Sequence, residues 1–174
     1  QARQYADKVV VVDDGSTDHT ANVAELAGAT VVQHMENKGY GSTIATILAE
    51  AKKQNVDILV TIDADSQHYP EEIPYLIKAV SEGYDVVIGS RNLRSNSIPS
   101  YRRFGQRVLA RLTYIASRRK MADTESGFRA YSMKAISTLE LKEKGFAVSS
   151  EIISEATAEG LRVVEIPISV LYHK

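Results

Sequence analysis

Four short apolar runs, each closed by a polar turn and separated by stretches of helical spacing, constrain this chain more than any other feature. They are Lys8-Val9-Val10-Val11-Val12, Thr30-Val31-Val32-Gln33-His34, Val56-Asp57-Ile58-Leu59-Val60-Thr61-Ile62 and Val86-Val87-Ile88-Gly89-Ser90. Rich in β-branched residues and nearly continuous in hydrophobicity, they read as strands buried on both faces. Residues 20–27 and 42–53 between them read as helices, the second with Ile44, Ile47, Leu48 and Ala51 on one face. Residues 70–82 read as a third, opened by Pro70 and the carboxylates of Glu71 and Glu72. Strands alternating with helices predict right-handed crossovers and an α/β fold, a mainly parallel open sheet flanked by helices.

The second half has a different texture. Residues 100–119 carry Phe104, Val108, Leu112 and Ile115 at helical spacing among Arg102, Arg103, Arg107, Arg111, Arg118 and Arg119, which predicts a basic amphipathic helix. A polar turn, Asp123-Thr124-Glu125-Ser126-Gly127-Phe128-Arg129, interrupts it. Residues 130–141 then read as a helix, Ser149 to Ile153 open another, and 161–171 read as extended, with Pro167 expected at an edge or a strand start.

Chemistry-bearing residues gather where the strands end. Asp13 and Asp14 close the first run, Asp63 and Asp65 follow the third, and Ser90 and Arg91 close the fourth, so one edge of a parallel sheet collects them. The Asp63-Ala64-Asp65 pair offers hard oxygen ligands for Mg²⁺ or Mn²⁺ carrying a substrate diphosphate. Arg102 and Arg103 follow Pro99 at a helix start, where free N–H groups and the helix dipole help hold a phosphate.

With 174 residues, 44% of them hydrophobic, the chain can bury the core of one domain, and a net charge of −1 supplies no general field for nucleic acid or an anionic membrane. The absence of cysteine excludes disulfides and thiolate metal sites and suits a reducing compartment. No run approaches the length of a membrane span.

Taken together, Val12-Asp13-Asp14-Gly15-Ser16-Thr17-Asp18, Asn37-Lys38-Gly39-Tyr40-Gly41, Asp63-Ala64-Asp65-Ser66-Gln67-His68, Gly89-Ser90-Arg91 and Asp123-Thr124-Glu125-Ser126-Gly127-Phe128-Arg129 resemble the inverting nucleotide-sugar glycosyltransferases typified by cellulose, chitin and dolichyl-phosphate mannose synthases. The likeness is nearest to the polyprenyl-phosphate glycosyltransferases. It implies the nucleotide-diphospho-sugar transferase architecture, here lacking the family's first strand. Residues 1–174 are expected to form a single catalytic domain truncated at both ends, since residues 1–6 read as a helix tail and 172–174 follow directly on an extended run.

Residue by residue, the resemblance implies that Asp13, Asp14 and Lys38 border the nucleotide. Asp63, Ala64, Asp65 and Gln67 would meet the donor, with Asp63, Asp65 and Gln67 as ligands to Mg²⁺ or Mn²⁺. Arg91, with Arg102 or Arg103, would hold the phosphate of a polyprenyl acceptor, and Arg129 would add a further clamp. His68 is expected to pack or hydrogen-bond within its loop. The implied reaction is hexose transfer from GDP-mannose or UDP-glucose to a polyprenyl (dolichyl) phosphate by in-line displacement with inversion, at the cytoplasmic face of a membrane and in peripheral contact with it.

An acceptor phosphate arrives ionised, so no protein base is required. Were the acceptor a saccharide hydroxyl, Asp123 or Glu151 would be the candidate base. A non-catalytic nucleotide-sugar-binding domain is the reading from outside enzymology. A nucleotidyltransferase fits less well because its phosphate loop wants glycines and bases where Asp13 and Asp14 stand, and an aspartate-nucleophile phosphatase because its Asp-x-Asp lies on the first strand.

Overall fold

The computed structural model describes residues 1–91 and 123–171. The basic stretch at 100–119, with Arg102 and Arg103, lies outside the described residues.

The four apolar runs become strands β1 (Val10–Asp13), β2 (Thr30–Gln33), β3 (Ile58–Thr61) and β4 (Val86–Ser90). The helices between them are α1 (Thr20–Leu26), α2 (Tyr40–Gln54) and α3 (Ile73–Ser81), the last preceded by a 3₁₀ turn at Pro70–Glu72. β1 and β2 pair in parallel, as the crossover rule requires. Each strand ends where its polar cluster begins.

Two expectations are corrected downstream. Residues 130–141 do not form one helix: Arg129–Ser132 is a strand, β5, and only Met133–Thr138 is helical (α4), with the Ser132 hydroxyl accepting the Ala135 N–H at 3.2 Å as its cap. The cause is burial with a period of two, since Phe128 and Ala130 face one core cluster and Tyr131 the other. The sheet is also mixed rather than mainly parallel. β5 runs antiparallel between β3 and β4, and β6 (Val163–Pro167) pairs in parallel with β4, giving the order β3-β5-β4-β6. Pro167 closes β6 at the edge of the sheet, where its missing N–H is tolerated.

This four-stranded sheet is the centre of a three-layer sandwich. Ile44, Leu48 and Ala51 of α2 pack with α4 and with Ile152 and Ala156 of α5 (Val148–Ala158) on one face, and Ile73, Leu76 and Val80 of α3 cover the other. Leu76, Val86, Val87 and Ile88 are wholly buried, each worth about 1.5–3 kcal/mol of transfer free energy.

Between the two sheets, Val9 and Val10 on one side and Ile58 to Ile62 on the other line a cavity of about 550 Å³. Among the described residues, β1 pairs only with β2 and β3 only with β5, so each has an unpaired edge bordering this space.

Candidate active site

At the end of β1 the two carboxylates are deeply committed to the backbone around them. Asp13 is 3% exposed and accepts the Ser16 N–H at 3.1 Å and the Gln33 side-chain amide at 2.9 Å. Asp14 accepts the N–H groups of Lys38 (2.9 Å) and Gly39 (2.8 Å) and the Nδ1 of His34 (2.6 Å). Burial acts against its charge, but the hydrogen bonds from His34, Lys38 and Gly39 outweigh that and hold its carboxyl below the usual range. His34, which sequence reasoning did not single out, continues the chain to the Thr46 hydroxyl at 2.9 Å. Asp14 thus fixes the loop that launches α2, and Lys38 is exposed at its tip.

The loop after β3 is arranged differently. Ser66 has φ +63°, and this left-handed turn brings the Gln67 N–H to an oxygen of Asp65 at 2.9 Å. Ala64 and Asp65 are exposed and Gln67 is half-buried. Asp63 is half-buried and, among the described residues, receives no hydrogen bond. Burial and the nearby Asp65 charge push its pKa up, against the pull of His68, Arg129 and Arg91. Among the described residues this half-buried carboxylate therefore lacks a hydrogen-bond donor, beside the second, exposed carboxylate of Asp65.

Gly127 explains part of the Ser-Gly-Phe-Arg motif. A Cβ at this position would run into the carboxylate of Asp63. The Thr61 hydroxyl donates to the Gly127 carbonyl at 2.8 Å, locking the 123–129 turn against the end of β3.

His68 is 7% exposed, with its ring tilted against Phe128 of the 123–129 turn at 5.3 Å between centroids, so it packs between the two loops. Burial is the main cause that lowers its pKa.

Arg91 and Asp123, separated by 32 positions, meet in a two-point ion pair. Nε and one terminal nitrogen of Arg91 each donate at 2.8 Å, and its backbone N–H donates to the same carboxylate at 3.0 Å. Burial opposes the charge of Asp123, yet these bonds hold its carboxyl low. A carboxylate so held is a weak base.

Arg129 is built into the 123–129 turn. It is 2% exposed and clamps that turn by donating to the carbonyls of Ser126 (2.8 Å) and Thr124 (2.6 Å), while its Nη1 makes no hydrogen bond among the described residues. Glu151, the other candidate base, accepts the N–H groups of Lys142 (2.9 Å) and Glu143 (3.0 Å) and so caps a loop. Tyr40 is a further residue that sequence reasoning passed over. Its ring is stacked on Phe146 at 5.4 Å between centroids, and its pKa is pushed up to about 12 by burial and by the charge of Asp63.

Among the described residues, no group of three or more His, Asp or Glu side chains could enclose a metal ion. Asp63, Asp65 and Gln67 could offer a divalent cation the hard oxygens that Mg²⁺ takes.

Comparison with known proteins extends this geometry. The family model for glycosyl transferase family 2 matches residues 1–139. The UDP-N-acetylglucosamine–dolichyl-phosphate N-acetylglucosaminyltransferase of Methanococcus voltae is 30% identical over 189 residues, covering 95% of this chain and 75% of that protein. Dolichol-phosphate mannosyltransferase of Pyrococcus furiosus is 33% identical over 170 residues, covering 92% and 47%. Among solved structures, glucosyl-3-phosphoglycerate synthase of Mycobacterium tuberculosis in complex with Mn²⁺, uridine diphosphate and phosphoglyceric acid superposes with a TM-score of 0.68 at 25% identity, covering 97% of this chain and 60% of that one.

Proposed function

The chain belongs to glycosyl transferase family 2, and from that premise we propose that it is the catalytic domain of a transferase that moves a hexose from a nucleoside diphosphate sugar to a polyprenyl phosphate. The observation that carries the acceptor assignment is the Arg91–Asp123 pair. Asp123 is locked to a guanidinium and Glu151 to two backbone N–H groups, so neither carboxylate expected to serve a hydroxyl acceptor is free to act as its base. An acceptor that arrives already ionised needs none. Relatives named as polyprenyl-phosphate transferases, the two described above among them, support the same reading.

In this mechanism Asp63, Asp65 and Gln67 would hold a divalent cation, Mg²⁺ or Mn²⁺, at the donor end of the site, and the solved neighbour with Mn²⁺ and uridine diphosphate supports that assignment. The cation would supply charge neutralisation for the departing nucleoside diphosphate. Asp13, Asp14 and Lys38 border the nucleotide. Arg91, aimed by Asp123, orients the acceptor phosphate behind the anomeric carbon, with Arg102 and Arg103 as further phosphate ligands. Most of the rate then comes from alignment and charge placement rather than proton transfer.

The donor base and sugar are tested by titrating GDP-mannose, UDP-glucose and UDP-N-acetylglucosamine into the full-length protein by calorimetry, with Mn²⁺ or with chelator. One donor should bind, and only with the cation. A folded full-length protein that binds none of them contradicts the proposal and favours a domain without transferase activity.

A further inference from the structure

Resting on that reading of the site, we infer that residues 163–171 set the spacing between its two halves, with Glu165 as a positioning residue for Arg91 and Glu72 as one for the Asp63–His68 loop. Both glutamates lie outside the roles assigned above, and the segment lies beyond the residues that the family model matches.

Glu165 sits in β6, opposite Ile88 of β4, and is 7% exposed. A carboxylate in the middle of Val163-Val164-Glu165-Ile166 is costly to bury unless it holds something. It accepts the backbone N–H of Asp123 at 2.8 Å, and Asp123 in turn grips Arg91 by two side-chain bonds and one backbone bond. β4 delivers the backbone of Arg91, since Ser90 pairs with Pro167 and the Ser90 carbonyl accepts the Ile168 N–H at 3.2 Å. The turn that carries Asp123 is anchored to the same edge strand by Glu165. Without this anchor the guanidinium keeps its charge but loses its aim.

Past Pro167 the same segment reaches the aspartate half. Val170 bridges to His68 in antiparallel fashion, and the Leu171 N–H donates to the Gln67 carbonyl at 2.9 Å. Glu72, also 7% exposed, fastens this stretch by accepting the Ser169 N–H at 2.8 Å and its hydroxyl at 3.0 Å. One extended segment is therefore tied at one end to the arginine and at the other to the loop of Asp63, Asp65 and Gln67. Displacing a reacting group by about 1 Å can cost on the order of 10²-fold in rate, so its register matters to transfer.

The test follows the Nε–H resonance of Arg91 in the ¹⁵N-labelled full-length protein, assigned with Arg91→Lys, alongside donor affinity and transfer. Glu165→Ala should speed solvent exchange of that proton at least about tenfold and lower kcat with a polyprenyl phosphate acceptor by about 10- to 100-fold, the loss expected for a misplaced reactant. Its affinity for Mn²⁺ with UDP-glucose or GDP-mannose should stay within about threefold. Glu165→Gln, which keeps an oxygen for the Asp123 N–H, should restore slow exchange and most of the rate. Glu72→Ala should do the converse, weakening donor affinity while Arg91 exchange stays slow. If the alanine variant at 165 does not fold, Glu165→Asp shortens the reach by one methylene and is read in the same way. Unchanged exchange in Glu165→Ala, or both variants moving both readouts together, overturns the inference. If the exchange pattern holds but the wild-type protein transfers nothing to a polyprenyl phosphate, the positioning role stands and the proposed reaction falls.

Discussion

Asp63 and Asp123 stand in one site with opposite titration. Burial and Asp65 raise the pKa of Asp63, so the folded state disfavours its charge: stability is greatest below the ordinary value near 3.8 and declines as pH rises through the raised value. Asp123 is held low by Arg91, so its contribution is present above the unfolded value and is lost as pH falls through the lowered one. Thermal unfolding at pH 7 should therefore show Asp63→Asn more stable than the wild type without added cation. Asp123→Asn should be less stable by about 3 kcal/mol, the scale of breaking a buried ion pair. Mn²⁺ should lose affinity as pH falls through the raised Asp63 value, because only the carboxylate binds it. Asp65→Ala should abolish cation-dependent donor binding, whereas Arg91→Ala should spare it and impair transfer. Equal loss of donor affinity in both would end this division of labour. The acidic pair was legible from sequence because it followed a strand. Arg91, which holds the charge of Asp123, lies 32 positions from it, and Gly127, packed against the Asp63 carboxylate, lies 64 from that residue. No local pattern carries them.

Among the elements, the strands and helices of the first 90 residues were readable because each is long in one period and bounded by turn residues. β5 was not. Arg129-Ala130-Tyr131-Ser132 has no apolar alternation strong enough to separate a strand from the start of a helix, and its place between β3 and β4 is decided by burial on both faces. Glu165 could have been found, since a lone acid inside the apolar run of β6 breaks the pattern of a buried strand. The start of α2 gives a test of sign. Gly41→Ala would normally favour a helix by up to about 1 kcal/mol, but here the new methyl would meet the carbonyl of Glu143, so destabilisation by about 1–3 kcal/mol is expected in chemical denaturation. At the end of β4, the wholly buried Ser90 hydroxyl makes no hydrogen bond among the described residues. Ser90→Ala should therefore be neutral or stabilising, by up to about 1 kcal/mol.

Over the whole molecule, the alternation of strands and helices foretold the layered α/β architecture, whereas the insertion of β5 and, among the described residues, the separation of β1 and β2 from the other strands depend on pairings distant in sequence. Among the described residues no helix is long and apolar enough to cross a membrane. The account turns on an acceptor whose attacking oxygen is already charged. The most direct measurement is transfer of labelled hexose by the full-length protein, with Mn²⁺, to a polyprenyl phosphate and to the matching polyprenol. The account predicts product with the phosphate and none with the alcohol; comparable transfer to the alcohol, or to a free saccharide in place of the phosphate, would contradict it.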